Sequence, residues 1–150
     1  MATGSHVTTE RVSLVSSVRA RQIMHAYTPR KWKVVQGGVH QGGASGLCEY
    51  CEKTIYVPYV CDTFSLYVFL HEVGHAKLHR FSKNPTHVDE YEAEMFAHKA
   101  LRECGFSVPR YATQSAKRYV WEEILKDRMK GLPIDPKIER WASRHPQVVA

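Results

Sequence analysis

The chain has no run of roughly eighteen apolar residues, the length a membrane helix needs, and no signal-peptide layout at its start. Membrane insertion and export are therefore not expected, and the protein reads as cytoplasmic. Cysteine is sparse as well. Only Cys48 and Cys51 form a C-x-x-C pair, with Cys61 ten positions on and Cys104 remote. A structural zinc ribbon needs two such pairs, and a disulfide framework does not suit a chain without a secretion signal. Free, partly buried thiols near a β-turn are expected. A Cys48/Cys51/Cys61 cluster holding a second metal with a histidine, and a redox role, are the alternatives. No internal repeat is present, so a repeat array is not expected. The 150 residues fit one domain with a sizeable core. It is taken from residue 9 on, with its core at about 31–104 and a helical part at 107–145. Residues 1–8 read as a disordered tail or an expression remnant.

Proline is also missing between Phe64 and Phe81, and that stretch is apolar nearly all round: Phe64, Leu66, Tyr67, Val68, Phe69 and Leu70, then Ala76, Leu78 and Phe81. This pattern describes a buried helix. Inside it lies His71-Glu72-Val73-Gly74-His75, an H-E-x-x-H pattern. On a helix, residues four apart project from one face, so both imidazoles can reach one zinc ion. Glu72 points to an adjacent sector, where it can take a proton from the attacking water. Burying two histidines and a glutamate is costly unless something satisfies them. The alternative is a pair of hydrogen-bonded core histidines beside a solvated glutamate.

Two ligands on one helix need a third. The metzincin continuation is absent, because His75-Ala76-Lys77-Leu78-His79 has no glycine to turn the chain. His79, a turn further along the same helix, is placed behind the ligands or on the rim. Ser82 to Pro85 signals a loop, and Thr86 with Asp89 resembles a capping box. A second helix is predicted from about His87 to Cys104, closed by Gly105. Its apolar arc is Ala93, Phe96, Ala97, Ala100, Leu101 and Cys104, with Glu90 inside the arc, Glu94 at its edge and Glu92 outside. A carboxylate on a buried stripe needs a cation or a set of donors. Glu90 is therefore the expected third zinc ligand. Glu94 is the expected hydrogen-bond partner of a ligand histidine and the competing ligand. Glu92 reads as solvated.

These residues carry a resemblance. His71-Glu72-Val73-Gly74-His75-Ala76-Lys77-Leu78-His79, followed by Glu90-Tyr91-Glu92-Ala93-Glu94-Met95-Phe96-Ala97, resembles the ImmA/IrrE family of zinc metallopeptidases. The pattern there is H-E-x-G-H-x-x-x-H, then E-x-E-A-x-x-F-A. Thr54 to Pro58 is similar to the short strand that precedes the active-site helix. The resemblance spans roughly Lys31 to Leu101. It implies a gluzincin-like domain in which Glu90 completes the site of one catalytic Zn2+, and a repressor or other regulatory protein as substrate. After Ala100 the chain departs from the pattern. Arg102-Glu103-Cys104-Gly105-Phe106 stands where a Leu-Leu-Met-Pro-like continuation is usual, a departure that bears on which regulatory protein is the substrate and not on the zinc chemistry.

Periodicity supplies the remaining elements. Thr9 to Tyr27 suits an amphipathic helix ended by Thr28-Pro29. Trp32 to Gln36 reads as a strand, Val39 to Gln41 as a second short one, and Lys53 to Tyr59 as a third whose Pro58 suggests an edge. Gly37, Gly38, Gly42, Gly43 and Gly46 mark turns. Helices follow from about Arg110 to Lys130, opened at Ser107 and Pro109 and closed by Gly131, and from Asp135 to about Arg144. The expected fold is α+β, a small zincin-like domain. Its short, mostly antiparallel sheet has an edge strand over the cleft and helices around it. In zincins such a strand binds the substrate backbone by strand addition, which assigns that role to Tyr56, Val57 and Tyr59.

The net charge is +6. Lys117, Arg118, Lys126, Arg128, Lys130, Lys137, Arg140 and Arg144 gather late in the chain, and Arg19, Arg21, Arg30, Lys31 and Lys33 early. Nucleic acid or an acidic protein partner is compatible with this. Interleaved Glu122, Glu123 and Asp127 favour a solvated face, and Trp121 and Trp141 read as packing anchors. The expected activity is peptide-bond hydrolysis by one zinc held by His71, His75 and Glu90, with Glu72 as general base. His79, His98, Tyr91 and Tyr111 are the rim candidates for a second oxyanion donor. Rival readings are a SprT- or ArdC-type peptidase acting on DNA-associated proteins, and a non-catalytic, zinc-structured binding module with basic helices.

Overall fold

Ser16 opens the first helix: its side chain accepts from the Arg19 backbone N–H, and α1 runs over Ser17–Tyr27. The computed structural model of the chain describes residues 12–37 and 46–145. The helix expected from Thr9 thus starts later than its periodicity suggests. Residues 13–15 pair with residues 61–63 instead. Val15 N–H donates to the Cys61 carbonyl and Thr63 N–H to the Ser13 carbonyl, both at 2.9 Å. The β-branched Val15 suits that extended pairing. The strand expected at Val39 to Gln41, the glycines at 38, 42 and 43, and residues 1–8 lie outside the described residues.

Three short strands follow: β1 (Lys33–Gln36), β2 (Leu47–Glu49) and β3 (Thr54–Val57), in the order β1-β3-β2. β3 runs parallel to β1 and antiparallel to β2. The sheet is therefore mixed, not mostly antiparallel, and β3 is central, not an edge. Pro58 lies just past its last residue and terminates it. Ile55 and Val57 are buried, as a central strand requires. The edge toward the cleft falls to β2, which carries too few strong β-formers to announce itself.

Asp62 and Ser65 form a reciprocal capping box at the start of α2 (Thr63–Leu78). The helix is buried over most of its surface, as its apolar circumference predicts. α3 (Thr86–Glu103) packs along it. The capping box expected at its start does not form. Pro85 occupies the cap position, and Asp89 accepts from Ser82 Oγ at 2.8 Å and Asn84 Nδ2 at 3.0 Å. Gly105 and Gly131, at φ 87° and 73°, end α3 and α4 (Arg110–Met129) where expected. Asp135 caps α5 (Pro136–Ala142). Five helices and a three-stranded mixed sheet thus make an α+β fold among the described residues.

One core cluster gathers Ile55, Leu66, Phe69, Leu70, Val73 and Leu101 between sheet, α2 and α3. A smaller one holds Val120, Ile124, Ile138 and Ala142 between α4 and α5. Trp121 and Trp141 pack against the second, as expected, with Trp141 edge-on to Tyr91 at 5.2 Å. No described helix is long and apolar enough to cross a membrane.

Candidate metal centre

His71 and His75 stand one turn apart on α2, with their Nε2 atoms 3.1 Å from each other. α3 brings Glu90 Oε2 to 3.3 Å from each of them. That oxygen is buried and has no hydrogen-bond partner. Three electron-rich atoms so close repel one another unless a proton or cation sits among them. A tetrahedral ion with bonds of about 2.0–2.1 Å separates its ligand atoms by about 3.3 Å. The triangle therefore fits a zinc-sized cation.

Comparison with known proteins finds no matching family, no matching curated protein and no matching solved structure. The site is read from its own geometry.

Glu94 stays outside the triangle. Its Oε1 lies 3.1 Å from His71 Nδ1, the ring's other nitrogen, in contact but off the line of a hydrogen bond. Its Oε2 accepts from the Tyr67 hydroxyl. Burial pushes the Glu94 carboxyl up to about 8. Burial also works against ionised Glu90, but the two histidine rings outweigh it and hold that carboxyl at about 2. The two glutamates one turn apart are thus in opposite electrostatic settings. Glu90, with His71 and His75, forms a group whose ligand atoms are close enough together to hold a cation.

Glu72 is buried beside the histidines. Desolvation raises its carboxyl above the ordinary range, partly offset by His71 and His75. Gly46 lies against it: a Cβ there would come within 2.8 Å of Glu72 Cγ and Oε1. The cleft over these residues measures about 670 Å³. Leu47 and Cys48 of β2 form one wall, and Ala112, Ala116, Arg118 and Tyr119 of α4 face it.

His79 sits behind His75, its Nδ1 3.0 Å from His75 Nδ1. The other rim candidates do not line the cleft. His98 is buried against the Tyr67 ring at 5.4 Å, where desolvation, with Arg102 and Lys117 nearby, brings it down to about 4. Tyr91 follows Glu90 by about 100° around the helix, so it turns away to pack on Trp141. Tyr111 is 65 % exposed and rests on Phe64 outside the wall. Tyr50, Tyr67 and Tyr119 line the cleft in their place. The Tyr119 phenol is raised by burial and then by Glu90. Sequence reasoning missed it, although Ala112, Ala116 and Tyr119 repeat at helical spacing on α4.

The substrate-strand residues are displaced as well. Tyr56, Val57 and Tyr59 do not line the cleft, because β2 lies between β3 and its open side. Tyr56 donates to Glu52, and Val57 is buried. All four cysteines are free, with Cys51 and Cys61 exposed. Among the described residues, no group positioned to hold a metal includes a cysteine. Burial, with Glu72 and Glu49 adding to it, pushes the Cys48 thiol up to about 12, which suits neither a thiolate ligand nor a redox nucleophile.

Proposed function

We propose that the protein is a zinc-dependent endopeptidase of the gluzincin type, built on a small zincin-like domain. The observation that carries this reading is the triangle of His71, His75 and Glu90 beside buried Glu72 at the floor of an open cleft. His71 Nε2, His75 Nε2 and Glu90 Oε2 would hold the ion. When bound, zinc polarises the scissile carbonyl and makes water more acidic. Glu72 accepts the proton of the attacking water, and its raised carboxyl pKa helps it return that proton to the leaving amine. Leu47 and Cys48 of β2 offer the backbone edge for an extended substrate. Tyr119, which lines the cleft from α4, supplies the second donor to the oxyanion.

The substrate class follows the resemblance to ImmA/IrrE peptidases: a regulatory protein such as a repressor, cut at a specific bond. α4 lies outside the resembling stretch yet builds one wall, so the preferred sequence is a property of this chain. The basic helices support a solvated face more than nucleic-acid binding, since Lys126 pairs with Glu123 and Arg128 with Glu139.

Elemental mass spectrometry of the purified protein tests the reading. One zinc per chain is expected, lost in Glu90→Ala and kept in Glu72→Gln, which retains metal but not turnover. A chain that takes up no zinc in metal-replete conditions overturns the proposal.

A further inference from the structure

We propose that Glu92 and His79 form a hydrogen-bonded relay that orients and polarises His75, making both of them positioning residues for the metal centre. The geometry stands alone; its consequence for metal binding rests on the zinc reading above.

His75 turns Nε2 toward His71 and Glu90, and its Nδ1 lies 3.0 Å from His79 Nδ1. His79 Nε2 in turn lies 3.0 Å from Glu92 Oε2, with Asp89 Oδ1 at 3.7 Å. One proton arrangement satisfies this row. An imidazole that offers the Nε2 lone pair to a cation carries its proton on Nδ1. His75 Nδ1–H therefore donates to His79 Nδ1, which must be bare. The His79 proton then sits on Nε2 and donates to the Glu92 carboxylate. With the opposite tautomer of His79, two N–H groups would face each other at Nδ1, and a lone pair would face a carboxylate at Nε2.

Burial gives the row its weight. The His79 side chain is 2 % exposed, so water does not substitute for either neighbour. Its backbone is pinned too: His79 N–H donates to the His75 carbonyl at 2.9 Å where α2 ends. Glu92 is 45 % exposed and stands at the solvent end of the chain of bonds. It reads as a solvated residue because it points off the apolar arc of α3, yet that direction leads to His79. A carboxylate behind a ligand imidazole raises its basicity and fixes its plane. The two histidines thus differ: His71 Nδ1 has the Glu94 carboxyl in contact without a hydrogen bond, whereas His75 Nδ1 meets an imidazole backed by a carboxylate.

The test uses the full chain, with zinc affinity measured by chelator competition and cobalt(II) spectra recorded in parallel. His79→Ala should weaken zinc by about 10–100-fold. His79→Asn, whose amide oxygen can accept from His75 Nδ1–H, should recover most of that loss. Glu92→Gln should cost less than His79→Ala, shift the cobalt bands, and cost nothing further once His79 is Ala, because its effect passes through that ring. Wild-type affinity in His79→Ala, no recovery in His79→Asn, or an equal Glu92→Gln cost with and without His79 each overturns the relay. Should His79→Ala fail to fold, Glu92→Gln decides alone: unchanged affinity and spectrum overturn the relay. A wild-type chain that binds no zinc overturns the metal reading itself, a result distinct from all of these.

Discussion

Gly74 on α2 and Ala93 on α3 bring two helix backbones into contact. A Cβ at Gly74 would lie 3.1 Å from Ala93 Cα and 3.2 Å from the Ala93 carbonyl oxygen. Glu90 is three residues before Ala93, on the same side of its helix, so this approach is what carries the carboxylate to the histidines. Alanine at 74 gains about 1 kcal/mol of helix propensity, but it pushes on backbone that cannot rotate aside. Gly74→Ala should therefore lower zinc affinity while changing the melting of chelator-treated protein little. Gly74→Val should harm both. Unaltered zinc affinity in the two variants would separate Gly74 from the site.

Gly46 plays the same part on the other side of the cleft. Its missing side chain leaves room for Glu72, since an added Cβ would sit 2.8 Å from Glu72 Oε1 and 3.0 Å from Val68 Cγ1. Gly46→Ala should move Glu72, the proposed general base, and leave the triangle of His71, His75 and Glu90 intact. A displacement of an ångström at a catalytic group costs up to about 100-fold in rate. The expected result is full zinc content with strongly reduced turnover on a cleaved substrate. Loss of zinc instead would mean that Gly46 also helps to place His71, His75 or Glu90.

Glu90 and Glu94 should separate cleanly on substitution. Glu90→Gln removes the proposed third ligand and should abolish zinc binding at micromolar concentration. Glu94→Gln keeps an acceptor near His71 and should still bind one zinc, weakened by about 10–100-fold at most. Isothermal titration of both variants distinguishes them. Zinc binding that survives in Glu90→Gln and vanishes in Glu94→Gln would exchange their roles.

His98 links stability to acid. Its folded pKa of about 4 lies below the ordinary histidine value of 6.5, so the unfolded chain binds the proton more tightly between those limits. Its contribution to stability is complete above pH 6.5 and is lost as the pH falls toward 4. Urea midpoints of chelator-treated protein should decline over that window, and His98→Gln should flatten the decline. An equal slope in the variant would assign the acid sensitivity to other groups.

A buried pair holds the C-terminal helices to the site. Asp127 Oδ2 accepts from the His87 backbone N–H and from His87 Nδ1, each at 2.9 Å, and both side chains are fully buried. His87 Nε2 accepts from the Asp135 N–H at 3.3 Å, so α3, α4 and the α5 cap meet there. Asp127→Ala strands two neutral donors out of water, at a cost of about 1–3 kcal/mol for each. Denaturant titration should show that loss. A change below about 1 kcal/mol would mean water reaches His87 after all.

What was legible in the sequence is what depends on neighbours along the chain. The four-residue spacing of His71 and His75 places two imidazoles on one face of any helix, and the circumference of apolar residues around them buries it. The position of Glu90 within the arc of α3 set it apart from Glu92, and Gly105, Gly131 and Asp135 marked helix ends through backbone and capping chemistry alone. Tertiary structure decided the rest. Leu47 to Glu49 become a strand only because β3 offers them a partner, and that pairing moves Tyr56 and Val57 from the edge to the centre. Tyr119 reaches the cleft through the packing of α4, and Glu92 acquires a purpose only where α3 passes His79. Helical period and capping act over three or four residues, whereas the angle and distance between packed elements are set by side chains far apart in sequence, which no local pattern encodes.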